Sequence, residues 1–235
     1  MRFRVGKIPV TVQPSFFVAT LLLGASAGDP RMVAAWIAMV FVSVMVHELG
    51  HAAAGLAFGL EPRIELHTMG GTTSWSTPRQ LSTAQRVTIS LAGPFTGFVV
   101  AAIAAAAHAA ARPGALADGA GGFVYQTVLF VNLWWGLANL VPMLPLDGGN
   151  VMTHLLDALT GGRGERPARI VSIAIAGLAL ASALLLAALG ASLPFSALWV
   201  AMLAALFVSA NWRALRELDM RERRRAPGDG DSPRA

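Results

Sequence analysis

The chain contains no cysteine among its 235 residues. Disulfides, thiolate metal ligands and a cysteine nucleophile are therefore excluded, and any bound metal must be held by His, Asp or Glu. Charge is scarce as well. Only 13% of residues are charged, against ~25% in an ordinary soluble domain. The net charge of +5 comes from basic residues in the segments between apolar runs and at the C-terminus, without interleaved aromatics. That distribution argues against a nucleic-acid partner and for attraction to anionic lipid headgroups. No internal repeat is visible. No small-residue cleavage site follows the first apolar run, which reads as a retained helix and not as a signal peptide.

What the chain has in abundance is apolar sequence, 55% of the total, gathered in long blocks. A helix of ~20 apolar residues crosses a bilayer core. Six candidate segments follow: Pro14–Gly28, Met32–Gly59, Thr83–Ala111, Phe123–Leu144, Ala168–Gly190 and Pro194–Trp212. The first is short. The expected fold is an all-α integral membrane protein of about six transmembrane helices. Between the second and third spans, Ile64, Leu66 and Thr68, then Thr72, Thr73 and Trp75 around Gly70-Gly71, read as a small β-hairpin. Its open edges cannot face lipid, so it is expected at the membrane surface or in a protein cavity. Residues 148–167 read as a loop. Residues 1–220 form the expected core, and 221–235, with Arg223-Arg224-Arg225, a disordered basic tail.

Six spans divide the basic residues unevenly. Arg2, Arg4, Lys7, Arg63, Arg79, Arg86, Arg163, Arg166, Arg169 and every basic residue from Arg213 onward fall on one side. Arg31 and Arg112 fall on the other. The excess of Lys and Arg marks the cytoplasmic face, which places both termini in the cytoplasm of a multi-pass cell-membrane protein.

The second span carries His47-Glu48-Leu49-Gly50-His51. Residues at i and i+4 stack on one helix face, so the two imidazoles can share one zinc ion, with Glu48 beside them as a general base. Two histidines and a glutamate are costly in a bilayer-length helix, which marks them as functional. A catalytic zinc takes three protein ligands and leaves one position open. The best third candidate is Asp147, in Asn139-Leu140-Val141-Pro142-Met143-Leu144-Pro145-Leu146-Asp147-Gly148-Gly149. Pro142 and Pro145 break the fourth helix, and Gly148-Gly149 allow a sharp exit. In this topology spans two and four both run inward, so the three ligands fall on one side. Asp147 also has a plainer reading, as a helix-exit aspartate in an Asp-Gly turn.

These motifs resemble the site-2 protease family of intramembrane zinc metalloproteases. His47 to His51 fit its HExxH motif, Asn139 to Gly148 its N-x-x-P-x-x-P-L-D-G motif, and Ala92-Gly93-Pro94 its small-residue element in the third span. The hairpin fits a membrane-associated β-structure found in members. The resemblance covers residues 40–150. It implies one zinc per chain held by His47, His51 and Asp147, Glu48 as general base, and hydrolysis of peptide bonds in or near the spans of membrane-tethered proteins such as anti-sigma or pro-sigma factors. The inserts are too short for the PDZ or CBS domains of many members, so a minimal form is expected. Asn139 is a candidate for substrate or oxyanion binding, with helix packing as the competing reading. His67 in the hairpin is a candidate resting-state zinc or gate contact, with a plain surface histidine as the alternative. Two rival functions stand beside the protease: a catalytically silent membrane scaffold and, less favoured, an ion-coupled transporter.

Overall fold

A computed structural model of the chain describes residues 1–25, 28–76, 79–110, 119–190 and 197–225. It divides into two compact units, Met1–Val141 and Pro142–Ala235.

The first unit opens with strands β1 (Arg2–Val5) and β2 (Ile8–Val12), paired antiparallel. Gly6, at φ 58°, takes the first central position of their two-residue turn, where a positive φ lets the turn twist with the strands. Helix α1 (Pro14–Gly24) and helix α2 (Pro30–Ala57) follow, then β3 (Pro62–His67) and β4 (Gly70–Trp75). The sheet order is β1-β2-β3-β4, with β2 and β3 parallel and β3 and β4 antiparallel. The strand pair expected around Gly70-Gly71 is therefore half of a four-stranded sheet. Its partner strands come from N-terminal residues whose sequence showed only their basic side chains.

Strand alternation builds the core of this unit. Ile8, Val10 and Val12 of β2 and Ile64 and Leu66 of β3 are buried on one face, while Arg63 and Glu65 point away. The buried face packs on Phe16 of α1, on Val40, Val44, Met45 and Ala52 of α2, and on Val131. A register slip of one residue would turn every one of these strand side chains outward. The sheet is thus pinned to α2, the helix that carries the histidines.

Helix α2 starts where Asp29 accepts a hydrogen bond from the Arg31 backbone N–H at 2.8 Å, with Pro30 in the first turn. Helix α3 (Thr83–Ala110) starts with a reciprocal cap. Ser82 Oγ accepts from the Gln85 N–H, and Gln85 Oε1 accepts from the Ser82 N–H. Helix α4 (Gly119–Leu129) runs through a π turn (Phe130–Trp134) into α5 (Trp135–Asn139). In that turn the Asn132 amide donates to Ser43 Oγ at 2.8 Å and to the Val128 carbonyl at 2.9 Å, which ties the turn to α2.

The second unit holds α6 (Asp147–Thr160), α7 (Glu165–Ala188) and α8 (Ala197–Arg225). The expected 148–167 loop is in large part helix α6. Gly148 and Gly149 do not serve as an exit: both are buried. A Cβ on Gly149 would fall 2.6 Å from the Met143 carbonyl oxygen, so glycine here permits close packing on the preceding Pro142–Leu146 segment. Ser172 of α7 and Asn211 of α8 hold that segment from two sides. Ser172 Oγ accepts from the Leu144 N–H at 2.9 Å, and the Asn211 amide donates to the Leu144 carbonyl at 2.7 Å. Both side chains are almost wholly buried.

Among the described residues four helices, α2, α3, α7 and α8, are long and apolar enough to cross a membrane. The first and fourth of the six expected spans are not among these four. Helix α1 has 11 residues, about 16 Å at ~1.5 Å per residue against a core of ~30 Å. The fourth expected span is helical from Gly119 to Asn139, but the π turn divides it. Helix α8 runs to Arg225, so the first residues of the expected tail are helical; residues 226–235 lie outside the described residues. Ala111, Arg112 and residues 194–196, assigned above to span ends and a loop, lie outside them too.

Candidate metal centre

Helical spacing brings the two histidines of α2 together. Their rings meet edge to face with centroids 4.9 Å apart, and their Nε2 atoms are 3.2 Å apart. Two nitrogens bound to one tetrahedral zinc at ~2.0–2.1 Å must sit about 3.3 Å apart. The pair already has the bite that such an ion needs. Glu48 lies beside them, and donor atoms of His47, Glu48 and His51 all fall within 4.8 Å of one another. Glu48 and His51 are buried and His47 is half-buried.

Helix α3 finishes the setting. His51 Nδ1 lies 2.7 Å from the carbonyl oxygen of Ile89. A carbonyl can only accept, so Nδ1 carries the proton, and Nε2 of the neutral ring presents its lone pair. Metal-binding histidines usually have this second hydrogen bond, which fixes tautomer and ring orientation. Gly50 lets the two helices approach: a Cβ there would lie 2.6 Å from the Ala92 carbonyl oxygen. Gly93 faces the imidazoles directly. A Cβ on it would enter the space in front of both Nε2 atoms, 2.7 Å from that of His47. The residues therefore fit a zinc ion, with two imidazole nitrogens at zinc bite distance and a small-residue cradle that any side chain would fill. Ala92-Gly93-Pro94 could be read from sequence as a kink or a packing device; in the structure its glycine faces the histidine pair.

The sheet approaches from the other side. Thr73 Oγ1 lies 2.7 Å from Glu48 Oε2 and 3.2 Å from the Glu48 backbone oxygen. Gly71 lies over the same carboxylate. Sequence reasoning missed Thr73; the signal was its place two residues from Gly71, on the same face of a strand.

The other candidates belong to other elements. Asn139 ends α5 in the first unit, half-buried. His67 ends β3 and spends both ring nitrogens within its own hairpin: Nε2 pairs with Thr72 Oγ1 at 2.8 Å, and Nδ1 accepts from the Met69 N–H at 3.2 Å. Asp147 is the first residue of α6, in the second unit, half-buried.

Comparison with known proteins agrees with this chemistry. No protein-family model matches the chain. A protein of Synechocystis sp. named as a zinc metalloprotease is 32% identical over 176 residues, covering 67% of this chain and 44% of that protein. The protein of Mycobacterium tuberculosis named as zinc metalloprotease Rip3 is 29% identical over 184 residues, covering 70% of this chain and 44% of its own length. The chain thus spans less than half the length of these curated relatives. Among solved structures, the site-2 protease from Methanocaldococcus jannaschii superposes with a TM-score of 0.64 at 21% identity, covering 92% of this chain and 94% of that one. That likeness establishes a common fold.

Proposed function

We propose that this chain, which belongs to the site-2 protease family of zinc metalloproteases, is an endopeptidase that cuts membrane-tethered proteins within or near their spans. One observation carries the reading. Two imidazole nitrogens stand 3.2 Å apart beside a buried glutamate, on a helix long and apolar enough to cross a membrane.

His47 and His51 would hold one zinc ion, and we assign the third ligand to Asp147, an anionic oxygen donor in the Asn139–Gly148 motif. The ion would polarise a peptide carbonyl and lower the pKa of water far enough for it to ionise near neutral pH. Glu48 accepts the proton of the attacking water and returns it to the leaving amide nitrogen. To the Asn139 amide, an N–H donor, we assign the substrate backbone or the developing oxyanion. His67, hydrogen-bonded through both nitrogens in its hairpin, is given no part. A substrate helix hides its carbonyls in i→i−4 bonds, so it must unwind before attack. β4 ends the sheet order, and its outer edge suits the freed strand by backbone pairing.

His51 is six residues before the end of α2, about 9 Å along the axis, so the chemistry lies below the lipid surface near one face. Pairing of β2 with β3 supports a topology in which the N-terminal strands and the hairpin share that face, with α1 and α2 making one excursion between them. The basic residues flanking this region make it the cytoplasmic face. By family resemblance the substrates are anti-sigma or pro-sigma factors.

The test is co-expression with candidate single-span proteins, comparing wild type with Glu48→Gln. The expected result is cleavage by wild type alone, with zinc near one per chain in both. A zinc-free wild type, or cleavage that survives Glu48→Gln, would overturn the reading.

A further inference from the structure

The edge strand β4 lies on α2 through one face. Gly71, Thr73 and Trp75 alternate with the exposed Thr72 and Ser74, so all three point the same way. Gly71 and Thr73 meet Glu48, as described above, and the Trp75 ring fills the space in front of Gly55. Glu48 and Gly55 are two helical turns apart on one side of α2. The strand is thus seated at both ends, and the seat fixes where Thr73 falls.

A threonine hydroxyl has one proton to give. Its two acceptors are the carboxylate oxygen at 2.7 Å and the helix carbonyl at 3.2 Å. The 2.7 Å contact is much the shorter of the two, so the proton goes to Glu48 Oε2. The two carboxylate oxygens then have different surroundings. Oε2 is anchored by Thr73, whereas Oε1 faces Gly71, where a Cβ would come within 2.5 Å. Only the missing side chain of Gly71 leaves room at that oxygen.

We propose that Thr73 is a positioning residue for the general base. Its hydroxyl anchors Oε2 of Glu48 and leaves Oε1, under Gly71, as the oxygen that handles the proton. The proposal rests on the reading of Glu48 as base. It makes β4 part of the catalytic apparatus through one side chain, apart from any role of its backbone edge.

The test uses the full chain in detergent with fluorescein-labelled casein as probe, and two variants. Thr73→Val keeps the shape and removes the hydroxyl; Thr73→Ser keeps the hydroxyl. The expected result is a kcat lowered about 10- to 100-fold in Thr73→Val, the factor for one hydrogen bond to a charged group. KM and zinc content stay at wild-type values, and Thr73→Ser recovers most of the rate. A readout independent of turnover is the Glu48 carboxylate infrared band, isolated as wild type minus Glu48→Gln. It shifts in Thr73→Val and holds in Thr73→Ser. Unchanged kcat and an unmoved band in Thr73→Val would overturn the proposal, as would equal losses in both variants, which mean packing alone. Should Glu48→Gln itself retain cleavage, the base assignment fails first, and that outcome is separate from either Thr73 result.

Discussion

The two units each bury polar side chains, and they use them in opposite ways. In the second unit Ser172 and Asn211 bond chiefly to backbone. Ser172 bonds the Leu144 N–H and the Ala168 carbonyl; Asn211 bonds the Leu144 and Phe207 carbonyls and accepts from Arg169. The two bonds to Leu144 satisfy backbone groups between α5 and α6 that no helix pairs. In the first unit, His47 and His51 turn nitrogens toward each other at zinc bite distance, with Glu48 at their side. That is an arrangement for a guest. Buried polarity at membrane depth thus has two signatures: side chain to broken backbone, and side chain to side chain around a gap.

Breaking the guest side should cost chemistry with little stability, and the largest loss falls on Glu48→Gln. Its cleavage rate should drop about 100- to 10,000-fold, the usual contribution of a general base, with the same thermal midpoint and zinc content as wild type. Asp147→Asn sharpens the contrast, because Asp147 sits in the unit whose other polar groups are structural. As a ligand, its loss should weaken zinc more than about 100-fold in competition with a chromophoric chelator, exceeding the ~10–100-fold typical of an outer-shell partner. Wild-type affinity would return Asp147 to the role of a helix-start carboxylate favoured by the dipole.

How far these features could be read in the sequence depends on the range of the physics. His47 and His51 were legible because i,i+4 spacing acts within one helix turn. β3 and β4 were legible because alternation and Gly70-Gly71 are adjacent in sequence. β2 was not, although Ile8, Val10 and Val12 alternate too, since its partner β3 lies about fifty residues on. Gly148-Gly149 misled for a similar reason. Gly149 makes a close approach to Met143 and Leu144, and without that contact two glycines look like a helix breaker. Asn211 and Ser172 gave no local signal at all, because their partner is backbone on a different element.

The smaller effects fall on support. Gly93→Ala should lower zinc affinity about 10- to 100-fold in the same chelator titration, because its methyl enters the space before both imidazoles while Glu48 stays intact. Asn211→Ala should do the reverse. It leaves a buried carbonyl of Leu144 without its amide, a cost of about 1–3 kcal/mol, read as a lower thermal midpoint of the zinc-free protein. A zinc affinity that fell with Asn211→Ala as steeply as with Gly93→Ala would erase the distinction between the two kinds of buried polarity.

The parallel pairing of β2 with β3 carries a consequence for biogenesis. Strand β2 precedes α2 in the chain, and its parallel partner β3 emerges only after all of α2 has been synthesised. Until then residues 2–12 can make only the antiparallel β1–β2 pair. When β3 arrives, the sheet closes and joins the two ends of the α1–α2 segment. A closed four-stranded sheet therefore reports that the helix bearing the histidines is already complete on the nascent chain.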